Sequence, residues 1–210
     1  MNTLLQIQSS LFSSGGESSR LATQFVERWR AVNPGAEVIV RDLGAEPVPH
    51  LTAERFQSFL AKPEERSAAQ QAVASFSDGL IDELERADVI VLGLPMYNFG
   101  VPSTLKAYFD HVARAGKTFK YTATGPQGLL TGKKAVVFAT RGGLYAGTAL
   151  DSQTGYVRDF LRFLGIADVE FVYAEGLALG DASKSESLAK AGHAVHALAT
   201  RHGLEIAAAA

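Results

Sequence analysis

The stretch ADVIVLGLPMYNFGVP, residues 87–102, decides the fold of this 210-residue chain. It opens with an apolar run that ends at Leu92, which is the pattern of a strand buried in a sheet. Apolar residues then recur at helical spacing from Leu105 to Val112. Pro102 suits the first turn of that helix because its missing N–H is not needed there. The stretch therefore predicts a buried strand, a loop and a helix, in that order.

The same alternation of strand and helix runs along the rest of the chain. Each strand–helix–strand repeat predicts a right-handed parallel unit. Five strands of this kind predict an α/β, doubly wound, flavodoxin-like sheet in the order 2-1-3-4-5, with helices on both faces. The length suits one domain, residues 1–210. The predicted strands are residues 3–8, 37–43, 87–92, 134–139 and 169–173.

Charge and composition exclude several classes of function. A net charge of -2 provides no basic stripe for nucleic acid. No apolar run approaches the ~18 residues of a membrane span, and residues 1–3 lack the charged start of a signal peptide, so we expect a cytoplasmic protein with no membrane role. The absence of cysteine excludes thiolate nucleophiles and cysteine-bound metals. Any redox chemistry would have to come from a cofactor.

The loop at residues 93–102 is a candidate ligand site because ligands of open parallel sheets bind at the carboxyl ends of the strands. Tyr97 and Phe99 offer aromatic surfaces, and Asn98 offers a donor and an acceptor, a composition that suits a flat aromatic ligand. The alternative is a rigid turn that only covers its own helix.

The loop at residues 10–18, SLFSSGGES, is a candidate phosphate site. Its hydroxyls, its glycines and the helix that follows provide donors and a favourable dipole for a monophosphate. Two alternatives stay open, a flexible connector or a plain helix cap by Ser18 or Ser19. Glu17 argues against a phosphate unless its carboxylate points to solvent.

A second glycine-rich turn, residues 140–147, follows the fourth predicted strand. The topology brings this turn and the two loops above to one edge of the sheet. No stretch has the spacing of a dinucleotide fingerprint, and residues 131–134 fail the P-loop pattern. His193 and His196 have no third ligand nearby in the sequence, so we expect no metal there.

Several motifs together resemble the FMN-dependent NADH-azoreductases, relatives of the flavodoxin-like quinone reductases. The resemblance covers essentially the whole chain. It is carried by PMYNF (95–99), RGG (141–143), AGKTFKY (115–121), SS (9–10), ERWR (27–30), VRDL (40–43), LLTGKKA (129–135) and AEG (174–176).

The resemblance implies a homodimeric FMN oxidoreductase that takes a hydride from NADH or NADPH at flavin N5. It would pass two electrons to quinones or aromatic azo compounds by a ping-pong mechanism. Because the flavin carries the chemistry, no side chain is expected to be catalytic, and backbone N–H groups of Gly142 and Gly143 are expected to stabilise the reduced ring. By the same resemblance, the FMN phosphate is held by Ser10, Gly16, Glu17 and Ser18, one side of the isoalloxazine by Met96, Tyr97, Asn98 and Phe99, and its pyrimidine end by Thr140, Arg141, Gly142 and Gly143.

Five aromatic residues are candidates to stack on the substrate, with ordinary core packing as the alternative, above all for the last of them. They are Tyr97, Phe99, Tyr121, Tyr145 and Phe163. The chain departs from the family at Gly16 and Glu17, where serine and glutamine are frequent. It also departs at Gly100, where many members have asparagine or serine, and at Tyr145, where many have histidine.

Two apolar segments predict a two-fold partner. The long crossover at residues 51–86 and the excursion at residues 119–128, which we expect over the site, carry more apolar surface than one sheet face needs. The competing class is a non-enzymatic flavodoxin-like electron carrier or FMN-dependent interaction module. Such carriers tend to be shorter and strongly acidic, whereas this chain is nearly neutral.

Overall fold

The computed structural model describes residues 2–209, with side chains through residue 202, and places a five-stranded parallel sheet at its centre. The strands are β1 (Thr3–Gln8), β2 (Glu37–Asp42), β3 (Val89–Pro95), β4 (Phe119–Thr122), β5 (Gly125–Gly128), β6 (Lys134–Thr140) and β7 (Asp168–Ala174). The helices are α1 (Glu17–Val32), α2 (Ala53–Leu60), α3 (Ala68–Arg86), α4 (Ser103–Val112), α5 (Ser152–Leu164) and α6 (Asp181–Ala209).

The central sheet has the order β2-β1-β3-β6-β7. β4 and β5 form a separate antiparallel hairpin. When only the strands of the central sheet are counted, β6 and β7 are the fourth and fifth, so the order is the predicted 2-1-3-4-5 and the predicted fold is confirmed. The hairpin itself was not predicted. No helix among residues 2–209 is long and apolar enough to cross a membrane.

Two apolar cores lie on the two faces of the sheet. One core packs α1 and α6 against the sheet around Phe25, Trp29 and Phe138, all fully buried. The other packs α3, α4 and α5 against the opposite face and includes Leu92 and Leu105. Strands covered on both faces must be apolar throughout, which is why β3 reads as a continuous hydrophobic run.

The register of the strands brings their carboxyl ends to one level. Gln8 at the end of β1 pairs with Gly93, and Pro95 at the end of β3 pairs with Thr140 at the end of β6. The residues that follow are joined in the same way, since the Met96 N–H donates to the Thr140 carbonyl at 2.9 Å. The three candidate loops therefore leave the sheet side by side.

The crossover between β2 and β3 consists of α2, one 3-10 turn at Pro63–Glu65, and α3. Ser67 and Gln70 form a capping box that starts α3, with each side chain bonded to the backbone of the other residue. Large apolar side chains remain exposed on these helices, at 49% for Phe56 and 69% for Leu60.

Candidate functional site

The loop after β1 is fixed tightly to the neighbouring strand. The Ser9 hydroxyl donates to the Gly93 carbonyl at 2.7 Å, and the Ser10 hydroxyl accepts from the Phe12 N–H at 3.1 Å. Gly16 is required where the loop turns into α1, because a Cβ there would lie 2.2 Å from Ser10 Oγ. The loop is therefore a built structure, which argues against a flexible connector.

The start of α1 has the features of an anion site. The helix begins at Glu17, and its cap residue Gly16 makes no side-chain cap bond. Ser18 therefore lies inside the first turn, and it is not the helix cap. Its hydroxyl is buried and has no hydrogen-bond partner among the described residues. The first N–H groups of a helix also lack intrahelical acceptors, so this turn offers unused donors.

The Glu17 carboxylate is neutralised by cations at the edge of the cleft. Lys184 Nζ, from α6, lies 2.8 Å from one carboxylate oxygen, and an Arg20 nitrogen lies 3.5 Å from the other. The negative charge that disfavours a phosphate at this helix is thus paired within the chain. A phosphate group fits the donors that remain.

The loop after β3 holds two residues in a strained conformation. Asn98 and Phe99 have φ values of 50° and 59°, in the left-handed region that non-glycine residues seldom occupy. The strain is maintained by α5, where Gln153 Nε2 donates to the carbonyls of Pro95 at 3.0 Å and Gly100 at 2.8 Å. Such strain is typical of ligand-binding loops, so it favours the binding function over a plain turn.

The loop after β6 contains a buried ionic cluster. The Arg141 guanidinium, fully buried, lies 2.7 Å from Asp151 and 3.1 Å from Glu175 and over the ring of Tyr173. Burial alone would raise the pKa of Asp151, but hydrogen bonds from Arg141 and Thr154 outweigh it and hold that pKa below its usual range. Because both carboxylates bind the guanidinium, and the Arg141 N–H and carbonyl bond to Ala174 and Leu177, the main role of Arg141 is to hold this loop in place.

The glycines of this loop keep their donors available. The Gly142 and Gly143 carbonyls accept bonds from Ala178 and Gly176, at 3.0 and 2.9 Å. Among the described residues their own N–H groups have no acceptor, as expected of donors that face a ligand.

The three loops line an open cleft of about 200 Å³. Of the twelve residues predicted to hold a cofactor, eight line it, and Ser18, Asn98, Phe99 and Gly143 lie on the same loops beside it. The sequence did not single out Phe12, Pro95 or Leu177 as site residues. Phe12 and Pro95 lie within the motifs at residues 10–18 and 95–99, and Leu177 directly follows the motif at residues 174–176. The lining is Ser10, Phe12, Gly16, Glu17, Pro95, Met96, Tyr97, Thr140, Arg141, Gly142 and Leu177.

The aromatic candidates fall into two groups. Tyr97 lines the cleft, and Phe99 packs against Tyr145 at a centroid distance of 5.3 Å, which joins the second and third loops. Tyr121 and Phe163 instead pack on Phe119, at 5.5 and 4.3 Å. Phe163 also packs against the buried core. Within one chain it therefore has the core-packing role that was the alternative to stacking on the substrate.

The excursion does not cover the site of its own chain, and that expectation is wrong. Gly128, the last residue of the hairpin, packs so closely on the end of α5 that a Cβ there would lie 2.1 Å from Gly165 N. The Leu130 N–H donates to the Leu164 carbonyl at 2.8 Å. Because α5 starts beside the cleft and runs away from it, the hairpin lies at the opposite end of the sheet.

A larger groove of about 660 Å³ runs between β7 and α6. It includes no residue of the first two loops. From the third loop it includes only Leu144, and it also includes Glu175 directly after β7. The smaller cleft is the better candidate, because unused donors and strained backbone converge on it.

A doubly wound parallel sheet with an anion site and aromatic loops at its strand ends defines the flavodoxin-like class. The model of the family described as "Flavodoxin-like fold" matches residues 2–199. The chain is 56% identical to the FMN-dependent NADH:quinone oxidoreductase of Cellvibrio japonicus, over 93% of this chain and 97% of the relative. It is 53% identical to the protein of that name from Burkholderia thailandensis, over 94% of this chain and 100% of the relative.

Solved structures agree with these relatives. The FMN-dependent NADH-azoreductase of Bacillus anthracis, solved in complex with FMN, superposes with a TM-score of 0.88 at 27% identity, covering 97% of this chain and all of that one. The chain belongs to the flavodoxin-like family of FMN-dependent NADH:quinone oxidoreductases.

Proposed function

We propose that this chain binds FMN in the cleft and transfers two electrons from NADH to quinones, and to aromatic azo compounds, in a ping-pong sequence. The observation that carries the proposal is the cleft itself, where the uncapped start of α1, with the buried unpartnered Ser18 hydroxyl, meets two loops with aromatic and free N–H surfaces. When bound, FMN supplies the two-electron redox chemistry for which the chain has no cysteine or metal cluster of its own among the described residues.

The phosphate of FMN suits the first loop. Ser10, the Ser18 hydroxyl and the first N–H groups of α1 would bind it, and the helix dipole would favour its charge. The donors of this loop suit one terminal phosphate, and the chain has no dinucleotide fingerprint, which favours FMN over a dinucleotide flavin. Lys184 would keep the nearby Glu17 carboxylate neutralised.

The flavin ring suits the second and third loops. Met96 and Tyr97 would form one wall, and the N–H groups of Gly142 and Gly143 would donate to the pyrimidine end. Donors aimed at the place where negative charge develops stabilise the reduced ring without a reorganisation cost.

A homodimer with shared active sites is part of the proposal. The cleft of one chain, about 200 Å³, is smaller than the roughly 300–1,000 Å³ of typical ligand pockets, so one chain forms only part of a pocket for a flavin ring and an acceptor. Tyr121 is 74% exposed on a hairpin that cannot reach the cleft of its own chain, and Phe56 and Leu60 are exposed on α2. A two-fold partner would cover this apolar surface and present an aromatic hairpin to the neighbouring cleft.

The test is steady-state oxidation of NADH with a soluble quinone, together with mass spectrometry of the cofactor released from the purified protein. We expect FMN and quinone-dependent turnover. Finding FAD, or no flavin after reconstitution, would contradict the cofactor assignment. FMN binding without NADH turnover would make the protein a non-enzymatic carrier.

A further inference from the structure

Glu175, the residue directly after β7, holds the loop that follows β6. Its Oε1 accepts bonds from the backbone N–H groups of Tyr145 at 2.9 Å and Ala146 at 2.8 Å. The same oxygen accepts a third bond from the Arg141 guanidinium at 3.1 Å. One carboxylate oxygen thus binds both ends of the loop at residues 141–146. Hydrogen bonds to a carboxylate are about twice as strong as bonds between neutral groups, so Glu175 is the main contact that fixes the backbone of Tyr145 and Ala146.

These bonds set the position of the Tyr145 ring. The ring lies so close to Gly143 that a Cβ there would be 2.6 Å from ring atom Cζ. Its centroid lies 5.3 Å from that of Phe99, whose carbonyl accepts a hydrogen bond from the Ser152 hydroxyl of α5. Tyr145 is therefore held from its backbone by Glu175 and packs against a residue that is itself fixed.

The first half of the loop is fixed independently of the carboxylate. The carbonyls of Arg141, Gly142 and Gly143 accept bonds from the N–H groups of the loop after β7. Loss of the Glu175 carboxylate would free Tyr145 and Ala146 and leave the two glycines in place.

We propose that Glu175 is a positioning residue that acts through Tyr145, and that it determines how the electron acceptor is bound rather than whether FMN is bound. The inference rests on the proposed quinone reductase function. Glu175 does not line the cleft, so its effect on the acceptor passes through the Tyr145 ring, which packs on Gly143 and Phe99 beside the cleft.

The kinetic test is a double-mutant cycle between Glu175→Ala and Tyr145→Ala. We expect Glu175→Ala to raise the KM for a soluble quinone roughly tenfold, because misplacing a positioning group is costly, and to leave the Kd of FMN within about threefold. In the Tyr145→Ala background the same change should add less than about twofold, because the two residues act as one unit. Glu175→Gln should restore most of the KM, since its amide oxygen accepts the same N–H groups.

The structural test is amide hydrogen exchange on the protein without substrate. Glu175→Ala should speed exchange at Tyr145 and Ala146 by about tenfold or more, because their only described acceptor is lost. The amides of Gly176 and Ala178, which donate to the glycine carbonyls, should stay protected and serve as internal controls.

Two results would overturn the proposal: a Glu175→Ala effect of full size in the Tyr145→Ala background, or unchanged exchange at residues 145 and 146. If Glu175→Ala does not fold, Glu175→Asp takes its place, because it keeps the charge beside Arg141 but is too short to reach both N–H groups. A wild-type protein that does not reduce quinones would contradict the proposed function. Even then, faster exchange in Glu175→Ala, confined to residues 145 and 146, would establish that Glu175 holds the loop.

Discussion

The Tyr97 hydroxyl accepts a hydrogen bond from the backbone N–H of Leu11 at 3.3 Å, which ties the loop after β3 to the loop after β1. The same hydroxyl lies 3.4 Å from the Ser10 hydroxyl. One side chain thus spans the proposed ring wall and the proposed phosphate loop. The two loops of the proposed FMN site are therefore joined to each other by this side chain.

Ser18→Ala should weaken FMN binding by roughly 1–3 kcal/mol, because the phosphate loses a donor to a charged acceptor. The buried hydroxyl has no partner among the described residues, so its removal costs little in the protein without cofactor. Ser14→Ala, on the exposed side of the same loop, is the matched control and should change binding by less than about 0.5 kcal/mol. Titration of flavin fluorescence measures both. Equal affinities for the two variants would remove Ser18 from the phosphate site.

Glu17→Gln should strengthen FMN binding by about 0.3–1 kcal/mol. The change removes a negative charge from the start of α1 and frees Lys184 for the phosphate. Glu27→Gln, an exposed carboxylate on the same helix, controls for net charge and should have no effect. The gain should shrink as salt is added, because exposed charges are screened. Weaker binding by Glu17→Gln would mean that the carboxylate positions the loop.

Leu60→Asp should convert the proposed dimer to a monomer and lower quinone turnover with it. Leu60 is 69% exposed, so the change leaves the core intact. The neighbouring Phe59 is a poorer probe, because its ring packs 4.5 Å from the Arg114 guanidinium and 5.8 Å from the His111 ring. Val32→Asp, an exposed apolar residue on α1, is the control. Light scattering and turnover report the result, and a fully active monomer would show that no partner completes the site.

The stability of the protein should depend on the neutral form of His111. Burial lowers the pKa of this histidine below its ordinary value of 6.5, although a bond to the Ala107 carbonyl opposes the shift. The unfolded chain therefore takes up a proton before the native state does, and this group makes the free energy of unfolding fall as pH drops below about 6.5. The loss is limited to about 1.4 kcal/mol per pH unit.

His111→Asn removes the titration but retains a donor near the position of Nδ1. Between pH 7 and pH 5 its free energy of unfolding should fall less steeply than that of the wild type, as measured by urea unfolding. The other histidines are common to both proteins and cancel in the comparison. Parallel pH profiles would exclude His111 as the source of the acid sensitivity.

The sheet and most of the cleft could be predicted from the sequence because both follow from local patterns. Strand–helix–strand units have one strongly preferred hand, and the carboxyl ends of parallel strands lie at one edge of the sheet, so the sequence predicts that residues 10–18, 93–102 and 140–147 come together. The hairpin of β4 and β5 was missed because its GPQG strand lacks any strand pattern. Long-range contacts such as Glu175 with Tyr145 leave no local signal, since they depend on how two loops 30 residues apart are packed.

The most direct test of the central claim is to mix the FMN-loaded protein with NADH in the absence of oxygen and then add a quinone, while the visible absorbance of the flavin is recorded. We expect NADH alone to abolish the absorbance of the oxidised flavin. The quinone, added after the oxidised nucleotide has been removed, should restore it. A flavin absorbance that NADH leaves unchanged, or one that the quinone fails to restore, would contradict the assignment of this chain as an FMN-dependent NADH:quinone oxidoreductase.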